Sequence, residues 1–341
     1  MKKSRFGRYS MEKTYRVPMP IGAFGGSAIT GAAIREVVTD STSQSEAILA
    51  LHERFQTDVM MTAMDLSVEA EMFGAEIRMQ DDEIPTVIGR LVKSVEDIEE
   101  LPVPSVGGSR SAVYLGTVEK LARAAFDIPV FGGMIGPFSL ASRLMGVSQA
   151  LEATMTNPAM LQLLLKKATQ FLTDYLIAFR KTGAWGVIIA EPAAGLLSPR
   201  GMREFSSVFL KSIIEQTQTE KFSIIYHNCA ARINHLPTIL ETGAEICHFG
   251  EPMDMALALS RVDNEVILAG NLDPAKVFFS GTVSEVRDRT IALLNETAEY
   301  KNFIISSGCD IPPHTPMENL DAFFQTVRNF PAEASVDPKN N

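Results

Sequence analysis

Histidine and cysteine are the residue types of this 341-residue chain best suited to demanding chemistry, and two stretches concentrate them. His227 and Cys229 flank Asn228, and Cys309 lies eighty residues beyond Cys229. Alternate side chains of an extended segment share a face, so His227 and Cys229 can converge on one point. One imidazole and two thiolates suit zinc, a borderline-soft cation that prefers tetrahedral nitrogen and sulfur ligation. Structural zinc usually takes four Cys or His ligands at tight spacing; a dispersed set of three leaves a position for water or substrate and favours catalysis. The competing reading is ordinary packing of buried free cysteine. Cys247, mid-run among apolar residues, reads as packing, and His248 beside it as a satisfied or exposed histidine. His235 reads as surface and His52 as structural, while His314, in the proline-rich loop after Cys309, is a candidate for the mouth of the site.

Positioning such a set requires strand ends that meet at one rim. Short apolar runs without polar alternation occur at 58–64, 129–134, 186–190, 222–226, 245–249, 265–269 and 302–306. Strands buried on both faces of a parallel sheet have this pattern. Helical patterns lie between them at 43–55, 111–125, 201–218, 233–242, 283–297 and 316–328. Asn157 and Pro158 supply the N-cap and first-turn proline of another, which runs to about Lys181 and is closed by Gly183. Strand–helix alternation with short connectors predicts repeated βαβ units. No G-x-G-x-x-G opens a first βα turn and no G-x-x-x-x-G-K-[ST] occurs, so a single (β/α)8 TIM barrel is preferred over an open doubly wound sheet. The eighth strand is placed at the glycine-rich 20–28. In this reading 17–330 is the barrel, and residues 1–16 and 331–341 are disordered ends. Active groups of such barrels sit at the C-terminal strand ends, where His227, Cys229, Glu251 and Cys309 all fall.

Composition narrows the class further. The 31 basic against 41 acidic residues give a net charge of −10, which argues against a broad nucleic-acid footprint. No apolar run approaches the ~20 residues of a membrane span. The basic start of the chain is not followed by the apolar core of a secretory signal. Three cysteines are too few and too odd in number for a disulfide framework. The expectation is a soluble cytoplasmic protein.

At the histidine and cysteines the chain resembles the uroporphyrinogen decarboxylase superfamily, and within it the methylcobamide:coenzyme M methyltransferase branch. The zinc motif of that branch, H-x-C…C, matches His227-Asn228-Cys229 and Cys309. Segments 64–75 (MDLSVEAEMFGA), 136–141 (GPFSLA), 270–274 (GNLDP) and 308–319 (GCDIPPHTPMEN) also match, and the resemblance spans about 18–330. It implies a (β/α)8 barrel with one zinc per chain. It also implies methyl transfer from a methylated corrinoid such as methylcob(III)alamin, carried on a separate small corrinoid protein, to a thiol such as coenzyme M. The chain has no D-x-H-x-x-G run of its own to ligate a cobalamin. Two thiolates and a neutral imidazole would cancel the charge of Zn²⁺, so an added substrate thiolate keeps electron density on sulfur. Glu251, after a strand between the ligand strands, is the candidate exchangeable fourth ligand, or else a surface helix cap. Glu191 and Asp65, at strand ends, are candidate substrate contacts or local caps, and Arg143 is the candidate partner of a sulfonate. Two enzymatic alternatives stand beside this one. The first is a methyl donor:corrinoid protein methyltransferase working on O- or N-methyl groups. The second is a uroporphyrinogen decarboxylase, against which the stretch 21–31 counts because it lacks arginine. A zinc-stabilised binding module is the non-enzymatic alternative.

Overall fold

The computed structural model describes residues 3–124 and 127–331. Its strands in chain order are β1 (Met60–Met61), β2 (Glu76–Arg78), β3 (Thr86–Ile88), β4 (Val130–Ile135), β5 (Gly186–Ala190), β6 (Ser223–Asn228), β7 (Ile246–Phe249), β8 (Ile267–Leu272) and β9 (Phe303–Ser307). β2 and β3 form a small antiparallel hairpin; the other seven form one sheet in the order β1-β4-β5-β6-β7-β8-β9. Every pairing in that sheet is parallel. Helices connect successive strands, as in a TIM-type α/β barrel. The helix Pro158–Lys181 starts at its Asn157 cap, whose side chain accepts from the Met160 N–H.

Two apolar layers hold the fold. The larger lies between sheet and helices, and the smaller fills the barrel interior with Met61, Phe131, Ile188, Ile225, Ile246, Ile267 and Ile304. Strand periodicity assigns the layers: along β6, Ile224 and Tyr226 belong to the outer one and Ile225 to the inner.

The eighth position is filled by Pro18, Met19 and their neighbours rather than by 20–28. Pro18 forms a parallel bridge with Ile305 of β9, and the Met19 N–H donates to the Ile305 carbonyl at 2.9 Å. Pro18 and Pro20 have no N–H to give a ladder, which is why the segment does not read as a strand. The glycines that suggested one instead open a helix, Gly25–Thr30. A Cβ on Gly26 would meet the Ala47 carbonyl oxygen at 2.1 Å, so glycine is what lets this helix pack on Ser41–Phe55.

The N-terminal stretch differs from the disorder expected of 1–16. Residues Arg5–Glu12 form a helix capped by Ser4, whose hydroxyl accepts from Gly7 N–H at 3.0 Å. Phe6 is fully buried inside the barrel and meets Phe131 edge-on, ring centroids 4.8 Å apart. The Ser4 N–H donates to Glu245 at 2.7 Å, and Arg5 lies over the Trp185 ring at 3.5 Å. Ser4 Oγ also lies 2.6 Å from Ser223 Oγ; Trp185, Ser223 and Glu245 precede or begin β5, β6 and β7, so the helix plugs the end of the barrel opposite the C-terminal strand ends. Of the basic residues that suggested a solvated tail, Arg5 and Lys13 lie over aromatic rings while Lys3, Arg8 and Arg16 donate to backbone carbonyls, and one phenylalanine supplies the anchor. The expected disordered tail lies, apart from Pro331, outside the described residues, as does Ala125 at the end of the expected helix 111–125. The expected helix 201–218 contains a π-helical turn, Arg203–Ser207, between Pro199–Met202 and Val208–Thr217. Among the described residues no helix is long and apolar enough to cross a membrane.

If the plug is part of the core, Phe6→Ala should destabilise the protein by about 3–5 kcal/mol, the range for emptying a buried aromatic site. Chemical denaturation would read this, and an unchanged midpoint would mean the helix merely rests on the surface.

Candidate metal centre at the C-terminal rim

His227 is inward-facing at the end of β6, two residues above Ile225, and Cys229 follows one step later. Cys309 lies just past the end of β9. The structure brings one ligand atom from each of these three residues within 4.8 Å of the others. His227 is buried and both cysteines are half-buried. Crowding of the strand ends makes this possible: a Cβ on Gly250 would lie 2.1 Å from the Cys229 carbonyl oxygen, so only glycine lets β7 run on so close.

The two thiols do not ionise independently. Cys309 donates to the Cys229 sulfur, which draws the Cys229 thiol down to about 7 despite its burial. That same donation, with burial, pushes Cys309 up to about 12. One proton leaves this pair near neutrality and the second is held unless positive charge arrives. Cys247, by contrast, points into the outer apolar layer, where burial alone pushes its thiol up to about 12. It is packing, as expected.

Beneath the thiols runs a buried chain of polar groups. His227 Nδ1 lies 2.8 Å from His248 Nδ1, His248 Nε2 lies 2.7 Å from Ser306 Oγ, and Ser306 Oγ donates to the Met19 carbonyl at 2.6 Å. Burial, and then His227, hold His248 well below the usual imidazole range. Of the two expectations for His248, the satisfied histidine holds and the exposed one does not, and one of its partners is His227 itself. The signal for it was the step Ile246-x-His248, which repeats Ile225-x-His227 on the neighbouring strand in register.

The remaining candidates fall in different places. Glu251 is exposed and its carboxylate does not join the three-atom group; Asn271 Nδ2 pins the loop by donating to the carbonyls of Gly250 and Met253. The fourth-ligand expectation for Glu251 thus has no geometric support. His314 is exposed, and His235, expected at the surface, is buried with Nε2 3.0 Å from the Leu197 carbonyl. Glu191 is fully buried and does not face the mouth. Its carboxylate accepts from the Phe138 and Ser139 N–H groups at 2.8 and 2.7 Å, capping the helix Pro137–Met145 rather than the following 192–196 turn. The π turn brings Ser206 Oγ to the same carboxylate at 2.9 Å. Asp65 is likewise spent on protein donors: one oxygen accepts from Ser67 N–H and Oγ, the other pairs with Arg110. Arg110 also reaches Glu71 and Ser67. Arg143, in the last turn of Pro137–Met145, is half-buried and makes no hydrogen bond or ion pair among the described residues. Burial lowers its pKa while the charge of Asp65 opposes that shift.

Sequence reading passed over two buried acids. Asp310, next to Cys309, has both oxygens buried and unpartnered among the described residues. Glu69 is fully buried; its Oε1 accepts from Ile135 N–H at 3.1 Å, its Oε2 has no partner, and burial pushes the carboxyl up to about 8.

A family model described as Uroporphyrinogen decarboxylase (URO-D) matches residues 12–330. The chain is 27% identical over 305 residues to the methylcobamide:CoM methyltransferase MtbA of Methanosarcina acetivorans, covering 88% of each. It is 29% identical over 298 residues to a uroporphyrinogen decarboxylase of Coxiella burnetii, covering 84% of this chain and 81% of the relative. Among solved structures, a methyltransferase from Methanosarcina mazei aligns with a TM-score of 0.83 at 25% identity, covering 92% of this chain and 94% of that one.

Glu69 gives this face a pH signature. Its carboxyl titrates higher when folded than the ordinary value of 4.5, so the native protein keeps a proton that the unfolded chain has lost. Stability conferred at low pH is therefore lost as pH rises from about 4.5 to about 8. Glu69→Gln removes this dependence, so its unfolding free energy relative to wild type should climb across that window by at most about 1.4 kcal/mol per pH unit. Urea denaturation at a series of pH values would read it, and a flat difference would show that Glu69 ionises like an exposed acid.

Proposed function

The chain belongs to the uroporphyrinogen decarboxylase (URO-D) family, and from that premise we propose a zinc-dependent methyltransferase that moves a methyl group from a methylated corrinoid to a thiol such as coenzyme M. The corrinoid is carried by a separate small protein. Overall identity does not choose between the activities named for the relatives. The observation that carries the reading is the convergence of His227, Cys229 and Cys309, for which a metal-free decarboxylation has no use.

The donor set fits the ion. A tetrahedral zinc with sulfur ligands at ~2.3 Å needs sulfurs about 3.8 Å apart, and the donors are gathered within 4.8 Å without it. The thiol pair releases one proton near neutrality and resists the second, as suits a pair waiting for a dication. His227, Cys229 and Cys309 would hold the zinc and leave one tetrahedral position to the substrate. Bound zinc would lower the thiol's pKa and hold its sulfur as a nucleophile towards the corrinoid methyl carbon, the Co–C electron pair departing with cobalt. Arg143, with its donors unspent, is assigned to an acidic group on the thiol, such as a sulfonate. The cysteines require a reducing compartment, which agrees with a cytoplasmic enzyme.

The carrier protein is assigned to exposed apolar side chains that follow the strand ends. Leu196 follows β5, Leu257 follows β7 and Phe279 follows β8, all on the catalytic rim and all exposed. A protein seated there would exclude water from the reactive cobalt product.

Two measurements test this reading. Purified protein should contain about one zinc per chain and consume free methylcobalamin with a suitable thiol, losing the methyl–cobalt absorbance. Chelation, or the double substitution Cys229→Ala/Cys309→Ala, should abolish both while circular dichroism stays unchanged, because the ligands sit on a barrel held shut by its own core. Stoichiometric zinc in the double variant would end the assignment. For docking, Leu196→Asp/Phe279→Asp should slow transfer from a corrinoid protein at least tenfold, about 1.4 kcal/mol. Transfer from free methylcobalamin should be unaffected; equal losses with both donors would place these residues in the active site or the fold.

A further inference from the structure

We propose that His248 is a positioning residue, which with Ser306 and the Met19 carbonyl holds His227 as the Nδ1–H tautomer and turns a bare Nε2 towards the two cysteines. The consequence for zinc rests on the reading above; the tautomer does not.

Three contacts in a row fix where each proton sits. A carbonyl only accepts, so the single hydroxyl proton of Ser306 is spent on Met19 at 2.6 Å. Ser306 Oγ must then accept at its other contact, which makes His248 Nε2, 2.7 Å away, the donor. A neutral imidazole carries one N–H, so His248 Nδ1 is bare. His227 Nδ1 faces it at 2.8 Å and has to supply the proton. That leaves the lone pair of His227 on Nε2.

Reversing the chain fails at its anchor, where the buried Met19 carbonyl would lose this donor. Two N–H groups facing each other at 2.8 Å would repel, and so would two lone pairs. His227, His248, Ser306 and Met19 are at most 2% exposed, so water does not compete for these sites. The anchor is itself part of barrel closure, since Met19 N–H donates to Ile305 beside Ser306. Pairing of the Pro18 segment with β9 therefore fixes which nitrogen of His227, three strands away, carries its proton. Partners of this kind orient metal-binding imidazoles and raise their basicity.

The experiment has one arm on zinc affinity and one on the imidazole itself. Ser306→Ala leaves His248 Nε2–H without an acceptor and should weaken zinc binding about 10–100-fold in chelator competition, the usual effect of removing such a partner. Ser307→Ala is the control: its hydroxyl accepts from Ile21 N–H, outside the chain, and zinc affinity should stay within about twofold of wild type. Nitrogen-15 histidine spectra of the metal-free wild-type protein should show His227 protonated on Nδ1 and bare on Nε2. An Nε2–H tautomer for His227, or wild-type affinity in Ser306→Ala, would overturn the proposal. A wild-type protein that takes up no zinc would end the metal reading, and the spectra would still decide the tautomer.

Discussion

A two-residue step, kept in register between neighbouring parallel strands, is the constraint on which the site depends. Ile225 pairs with Ile246 and His227 with His248, so an apolar layer lies below and a polar one directly above it. Ile188 and Ile267 extend the lower layer to either side. Slipping β6 by one residue would turn Tyr226 inward and send His227 among the helices. The apolar layer thus does more than hold the barrel shut: it sets the height at which imidazoles and thiols emerge.

Much of this was legible because the barrel announces itself locally. The run 186–190 coincides with β5, and a cap, a first-turn proline and a closing glycine delimit the helix Pro158–Lys181. What was not legible depended on partners far away in sequence. Glu191 caps a helix some fifty residues earlier, and no pattern around Glu191 says so. The segment at Pro18 pairs with Ile305 yet lacks the amide protons that usually mark a strand. Phe6 is one apolar residue among six basic ones and owes its burial to the end of the barrel being open to receive it. His248 was missed for a different reason: periodicity was sought within each strand, and the informative comparison lay between two adjacent ones.

The charged groups of the catalytic end divide by whether their hydrogen-bonding capacity is used. Glu191 and Asp65 spend both oxygens on protein donors and act as struts, fixing the first turn of Pro137–Met145 and the loop after β1. Arg143 spends none and is held partly out of water by the helix that Glu191 secures. A rigid acid and an unsatisfied cation at opposite ends of one helix make a rim that is firm in shape and still open to an anion. Exposed Leu196 and Phe279 follow β5 and β8, so in the proposed function the carrier protein and the acidic thiol meet the same face.

The plug formed by Arg5–Glu12 has a consequence for how the chain is made. It leaves a ribosome well before Phe131, Trp185, Ser223 and Glu245, which receive it. Met19 waits longer still, until Ile305 is complete. Segments that far apart are needed before the inner layer is complete, and until they meet the nascent chain carries an unpaired aromatic and an open strand edge. Contacts this distant slow folding and lengthen the exposure of sticky surface. The residues that seal the inner layer are thus made well before the strands that receive them.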